Sequence, residues 1–218
     1  MTPLLLLDVD GVLNALPDSS DDLLVWPDWH SGWATADGSR WHITWSPTVV
    51  RQLRDWHESG AVELQWLTTW GHDANGELRE LLGLPELAVA GTYDEPEAPR
   101  TPTVSGAAHA SVTPAAPDPL TGRWWKYDVV QRVLRHQPGR VIMWVDDELH
   151  RPTRFRTWAE AQERVVPVGP NPRCGLTESD LIHVAAVVSS RSDSADLMTA
   201  SSGPLSSASV TAPKERHP

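Results

Sequence analysis

The chain has 218 residues, enough to bury the core of one α/β domain. Its 18 basic and 29 acidic residues give a net charge of −11, which argues against non-specific binding to nucleic acid, because that binding needs a basic surface. The single cysteine excludes an internal disulfide and fits a reducing compartment. No apolar run is long enough to span a membrane or resembles a signal peptide, so we expect a cytoplasmic protein without membrane contact.

The first predicted strand is a run of four leucines, Leu4 to Leu7. Such a run is typical of a strand buried on both faces of a parallel sheet. Asp8 and Asp10 follow it, and Gly11 lets the backbone turn directly afterwards. Taken alone, Asp-x-Asp-Gly is an ordinary solvated turn. At the carboxyl end of a parallel strand, however, it stands where open α/β sheets bind ligands.

Residues 15–45 contain five tryptophans and are predicted to form a β-flap over the end of the first strand. The alternation in 41–45 indicates a strand, and Asp37-Gly38 indicates a hairpin turn. We expect most of these rings to form a small aromatic core, because tryptophan is mostly buried. The alternative is that one or two of them stack on a substrate ring.

Helices and strands alternate through the rest of the chain. Helices are predicted over 47–58, 73–82, 125–136, 156–164 and 177–188, and strands over 61–67, 87–90, 141–145 and 165–168. This alternation predicts a Rossmann-like parallel sheet of about five strands with helices on both faces. Residues 94–122 are rich in Pro, Ala, Ser and Thr, which predicts a flexible loop and no large cap domain. The Ser-rich residues 189–218 are predicted to be a disordered tail, so that the domain spans 1–188.

Further polar residues follow the later strands of the predicted sheet. Thr68 and Thr69 end the second strand, Lys126 lies in the first turn of a helix, and Asp146 and Asp147 end the strand 141–145. Strand ends and helix starts of βαβ units share one edge of a parallel sheet, so we expect these groups to converge on Asp8 and Asp10. Either threonine is a candidate, since the two are adjacent.

Such a group of residues suits phosphoryl transfer. Clustered carboxylates repel one another unless a cation holds them, and an all-oxygen set favours a hard cation such as Mg²⁺. A carboxylate can attack phosphorus, as in aspartyl-phosphate enzymes, while an ammonium and a hydroxyl neutralise the transferring group. A second acid, two residues on, can protonate the leaving oxygen and then activate water.

The order of these motifs resembles that of the haloacid dehalogenase (HAD) superfamily over roughly residues 4–188. The stretches 8–14 and 144–147 match its motifs closely, and 66–70 with 74–75 is similar to a small-cap group associated with RNA repair. The resemblance implies Asp8 as nucleophile and Asp10 as acid/base, with phosphate bound by Thr68 and Lys126. It also implies Mg²⁺ held by Asp8, the Asp10 backbone carbonyl and Asp146, with Asp147 as a ligand or just outside the ligand shell. The dehalogenase branch lacks an aspartate at the position of Asp10, so the resemblance points to phosphoryl chemistry.

The favoured function is a Mg²⁺-dependent phosphatase that hydrolyses a phosphomonoester through an aspartyl-phosphate. One alternative is a receiver-like phospho-acceptor module, although the order of acids, Thr and Lys along the chain favours the enzyme. The other is a protein that uses the same site to bind a nucleotide or a nucleic-acid end. The substrate is expected to be a phosphorylated small molecule, nucleotide or nucleic-acid end, and no obligate protein partner is indicated.

Overall fold

The computed structural model describes residues 1–93 and 124–190 in full and residues 191–200 as helical backbone. The strands of this part of the chain are β1 (Leu4–Leu7), β2 (His30–Ala36), β3 (Ser39–Trp45), β4 (Glu63–Trp66), β5 (Ala88–Val89), β6 (Ile142–Val145) and β7 (Val165–Val168). The α-helices are α1 (Pro47–Glu58), α2 (Glu77–Leu82), α3 (Trp125–His136), α4 (Arg154–Glu160) and α5 (Glu178–Ala200). Short 3₁₀ turns lie at Ser20–Val25, Gly71–Asn75 and Asp147–Leu149.

Five parallel strands form the central sheet, in the order β5-β4-β1-β6-β7. The leucine strand β1 lies in the middle, where Leu7 pairs with Trp66 of β4 and with Val145 of β6. All four leucines are fully buried, each contributing roughly 1.5–3 kcal/mol through removal of apolar surface from water. The predicted parallel α/β fold is confirmed, and the polar residues that follow β1, β4 and β6 share one edge of the sheet.

Helices cover both faces of the sheet. On one face, α1, α2 and α5 pack with Leu5 and Leu7. On the other, α3 and α4 pack with Leu4 and Leu6. Successive strand residues point to opposite faces, so an unbroken leucine run supplies both cores.

Two predicted helices have different bounds in the structure. The helix predicted over 73–82 is split into the turn Gly71–Asn75 and α2, because Asn75 is tied to the sheet: its Oδ1 accepts from the Trp66 indole at 3.0 Å and from the Leu87 amide at 3.0 Å. The helix predicted over 156–164 is α4, which starts earlier because Thr153 caps it through a 3.1 Å hydrogen bond from the Arg156 amide.

The predicted flap is an antiparallel hairpin of β2 and β3. Asp37 and Gly38 form its turn with φ of 49° and 71°, the left-handed pair that tight hairpins require. The prediction that most of the flap tryptophans form an aromatic core is wrong for Trp33 and Trp41. Only Trp45 among the five tryptophans is buried, while Trp33 and Trp41 are 53 % and 54 % exposed. The alternation of the strand places Trp33 on the solvent face, opposite His42.

The last helix continues past its predicted end at 188, since α5 runs to Ala200. Its core contacts come from Leu181, Val184 and Val188. The predicted loop 94–122 and the tail residues 201–218 lie outside the described residues. Within the described ranges no cap domain accompanies the sheet, and none of the helices is both long and apolar enough to cross a bilayer.

Candidate active site

Three carboxylates meet at the carboxyl ends of β1 and β6. Asp8 follows β1, and its amide donates to the Val145 carbonyl at 3.1 Å, which fixes it beside Asp146. Each side chain contributes one carboxylate oxygen, and these three oxygens, from Asp8, Asp146 and Asp147, lie within 4.8 Å of one another. Asp8 and Asp146 are buried, at 5 % and 0 % exposure, whereas Asp147 is half-buried at the rim. The structure thus brings together three acids predicted from distant parts of the chain.

Lys126 is the cation at the centre of this acid cluster. Its Nζ donates to Asp8 Oδ2 at 2.5 Å and to Asp146 Oδ2 at 2.8 Å, and the side chain is fully buried. The first turn of α3 positions it, and the rings of Trp124 and Trp125 lie 5.9 and 6.0 Å from Nζ. The lysine therefore fixes the two buried carboxylates relative to each other.

The cluster holds more negative charge than one ammonium can neutralise. Burial raises the pKa of Asp146 to about 8 although Lys126 opposes the rise, and burial together with the Asp8 charge raises the pKa of Asp147 to about 7. Burial alone would lower the pKa of Lys126, but the Asp146 and Asp8 carboxylates outweigh it and raise that pKa. The excess of acid favours binding of a further cation.

The donor set fits a divalent hard cation. Carboxylate oxygens are the ligands that Mg²⁺ and Ca²⁺ prefer in proteins, and Asp8, Asp146 and Asp147 offer one each within a small volume. Gly11 makes room for the third: a Cβ at this position would lie 2.6 Å from Asp147 Cγ, and its φ of 69° also favours glycine. The turn after β1 is therefore shaped around the Asp147 carboxylate.

Asp10 stands apart from the acid cluster and has its own donors. Its Oδ1 accepts from Asn14 Nδ2 at 2.8 Å and its Oδ2 from the Trp70 indole at 2.9 Å. Burial raises its pKa, while the bonds from Asn14 and Trp70 act in the opposite direction. Asn14 also accepts from the Thr44 amide at 2.8 Å, which connects the hairpin to this acid. Sequence reasoning missed both donors, although Asn14 lies within the first motif and Trp70 follows the threonine pair.

The threonine pair lies beside β1. The Leu67 amide donates to the Leu7 carbonyl at 2.9 Å, so Thr68 follows β4 at the level of Asp8. Thr68 is buried, and its Oγ1 accepts from the Trp70 amide at 3.3 Å, which leaves the hydroxyl hydrogen available to donate. Thr69 is half-buried. The choice between the two threonines stays a prediction.

A cleft of about 710 Å³ opens beside the acid cluster. Its lining includes Asp147 and Glu148 together with His150, Arg151 and Arg173. Its walls come from the loops after β1, β6 and β7, which are all on the edge of the sheet that carries the acids. The cleft is therefore continuous with the site.

Comparison with known families assigns this architecture. A family model described as the HAD domain in Swiss Army Knife RNA repair proteins matches residues 4–181. The chain belongs to this family. The predicted HAD resemblance and its link to RNA repair are confirmed, and the receiver-like alternative is set aside. Neither the curated proteins nor the solved structures gave a significant match. The chain is thus a HAD-type domain whose acid cluster is compatible with metal binding.

Proposed function

We propose that this HAD domain is a Mg²⁺-dependent phosphatase that hydrolyses a phosphomonoester through an aspartyl-phosphate on Asp8. The observation that carries the proposal is the buried Lys126 ammonium between Asp8 and Asp146, with Asp147 in the same cluster. Asp8, Asp146 and Asp147 would hold the Mg²⁺, together with the Asp10 backbone carbonyl. When bound, the ion supplies positive charge to the phosphate oxygens and to the crowded carboxylates.

In the first step a carboxylate oxygen of Asp8 attacks phosphorus. The bond from Asp8 to phosphorus forms as the bond from phosphorus to the leaving oxygen breaks. Lys126 and the Thr68 hydroxyl stabilise the charge on the transferring group. Asp10 donates a proton to the leaving oxygen, because its raised pKa favours the protonated acid.

In the second step water releases the phosphate. Asp10, now a carboxylate, takes a proton from water as the water oxygen attacks phosphorus. The bond between phosphorus and Asp8 breaks, which restores the Asp8 carboxylate, and Asp10 is left protonated by the water, as it was at the start. The donors Asn14 and Trp70 hold both Asp10 oxygens, and each oxygen keeps a lone pair for the transferred proton.

The family and the open site support a proposal for the substrate class. The family is described by its occurrence in RNA repair proteins, which supports a phosphorylated nucleic-acid end as the substrate. The cleft beside Asp147 leaves room for a group the size of a nucleotide. A free nucleotide or another small phosphate ester is the alternative.

The experiment measures hydrolysis of p-nitrophenyl phosphate and of 5′- and 3′-phosphorylated oligonucleotides with and without Mg²⁺. Asp8→Asn is expected to lower kcat on the order of 10³-fold or more, since the carboxamide of asparagine is a poor nucleophile toward phosphorus. The matched control is Asp55→Asn, an exposed acid on α1 that should retain the wild-type rate. A wild-type rate for Asp8→Asn would overturn the nucleophile. A wild-type protein that binds phosphorylated ends in Mg²⁺ without hydrolysing them would favour the binding function.

A further inference from the structure

The cleft beside the acid cluster contains two arginines that the mechanism does not use, Arg151 and Arg173. Arg151 lies in the loop after β6, four residues past Asp147, and its side chain is exposed. In the described part of the chain it has no ion-pair partner within 4 Å. The other arginine of the cleft, Arg173, is neutralised by Asp18 at 2.6 Å. Among the described residues, Arg151 is therefore the arginine of this cleft that has no ion-pair partner.

Two acids of the cleft are already engaged. Asp147 belongs to the acid cluster. Asp22 accepts hydrogen bonds from Ser19 and from the Asp18 amide at 2.9 to 3.1 Å, which holds it in its own turn. Glu148 also lines the cleft, between Asp147 and Arg151 in the sequence. Asp147 and Arg151 line the same cleft, so a ligand that extends from the acid cluster into it comes within reach of Arg151.

We propose that Arg151 binds the first internucleotide phosphate of a nucleic-acid strand whose terminal phosphate is bound at Asp8. This inference rests on the proposed function and names a subsite within it. A guanidinium binds phosphate oxygens through paired hydrogen bonds, and the cleft volume suits one nucleoside between the two phosphates. The subsite would let a chain of net charge −11 select a strand end locally, without a basic surface overall.

The test compares two substrates that differ only in one charge. Both are dinucleotides with a terminal phosphate at the end that the wild type hydrolyses. One has the natural phosphodiester and the other a neutral methylphosphonate linkage. The wild type is expected to show a KM about tenfold lower for the phosphodiester, the size of one charge-assisted hydrogen bond at an exposed site. In Arg151→Ala this ratio should fall to about one, and in Arg151→Lys it should be partly restored.

The matched control is Arg51→Ala, an exposed arginine on α1 that does not line the cleft and should retain the tenfold ratio. Thermal unfolding verifies that each variant is folded. Equal KM values for the two linkages in the wild type, or an unchanged ratio in Arg151→Ala, would overturn the subsite. If the wild type hydrolyses neither substrate, the proposed function fails instead. Fluorescence anisotropy of labelled dinucleotides on Asp8→Asn, with and without Arg151→Ala, then decides the subsite by binding alone.

Discussion

The carboxylate of Asp10 is held from two sides by residues of different elements. Asn14 reaches it from the loop after β1, and the Trp70 indole reaches it from beyond β4. Both are neutral donors, so they orient the side chain without removing its ability to exchange a proton. An acid that must serve first as donor and then as acceptor needs this kind of fixed orientation.

Replacing Trp70 with Phe removes one donor while keeping most of the buried ring. We expect kcat for an alkyl phosphate to fall by about tenfold, because its leaving oxygen needs a well-placed proton. For p-nitrophenyl phosphate the fall should be smaller, since that leaving group departs without protonation. Steady-state kinetics on both substrates measures the difference. Trp56→Phe, a half-buried ring on α1, is the control. Equal losses for the two substrates would show that Trp70 has only a packing role.

The raised pKa values of Asp146 and Asp147 make stability depend on pH and on Mg²⁺. In the unfolded chain an aspartate titrates near pH 3.9, about three to four units lower. The folded protein therefore holds protons that the unfolded chain has lost. The stability from these groups is complete below about pH 4 and is lost as the pH rises through about 7 and 8. Added Mg²⁺ acts in the opposite direction, because it binds the deprotonated carboxylates.

We expect the melting temperature in chelator to fall between about pH 5 and about pH 8. At about pH 8, Mg²⁺ at a hundred times its dissociation constant should raise it by about 5 °C or more, with a smaller rise at about pH 5. Thermal unfolding at matched ionic strength measures both effects. Asp147→Asn should reduce the rise, whereas Asp21→Asn, an exposed acid in a 3₁₀ turn, should not. A rise independent of pH would contradict binding at this cluster.

At the scale of elements, the turn after β1 packs closely against Asp147 in the segment after β6. Gly11→Ala would place a methyl group 2.6 Å from Asp147 Cγ at a backbone φ of 69°. Gly60→Ala has almost the same φ, 73°, with open space around the new Cβ. We expect both variants to lose about 1 kcal/mol or more in denaturant unfolding. Only Gly11→Ala should weaken Mg²⁺ binding by titration. Equal Mg²⁺ affinity in the two variants would show that Asp147 does not contribute.

The elements were predictable where local pattern and tertiary environment agree. The apolar runs of β1, β4 and β6 and the Ser46-Pro47 start of α1 appear as expected. The break before α2 was not predictable, because it depends on hydrogen bonds that Asn75 accepts from the Trp66 indole and exchanges with the Leu87 backbone just before β5. The exposure of Trp33 was also missed, since composition says little about which face of a hairpin meets solvent.

The site residues also divide into those that the sequence predicted and those that depend on tertiary contacts. Asp8, Lys126, Asp146 and Asp147 were predictable because strand ends and helix starts of a parallel sheet meet at one edge. The donors to Asp10 were not, since the direction of the Trp70 indole depends on packing between two loops. Arg151 was missed for a different reason: an arginine four residues after an acid pair carries no signal until the cleft is seen.

At the scale of the whole molecule, the core contacts of α5 determine which C-terminal residues are needed for a stable fold. Leu181, Val184 and Val188 are its buried contacts with the core. Truncation after residue 188 should therefore leave kcat/KM and the melting temperature near the wild-type values. Truncation after residue 177 removes all three and should lower the melting temperature by more than about 5 °C, since each buried side chain contributes roughly 1.5–3 kcal/mol. Lost turnover in the first truncation would show that 189–218 takes part in function.

The pairing of β1 with β6 joins two stretches that are far apart in the chain, Leu4–Leu7 and Ile142–Val145. Asp8 and Thr68 come before residue 94, whereas Lys126 and Asp146 come after residue 123. Two separately expressed pieces, 1–93 and 124–218, would thus each carry half of the chemistry and an unsatisfied strand edge. Turnover would return only on their reassembly and would rise with the concentration of both, which makes the fold a natural candidate for a fragment-complementation reporter.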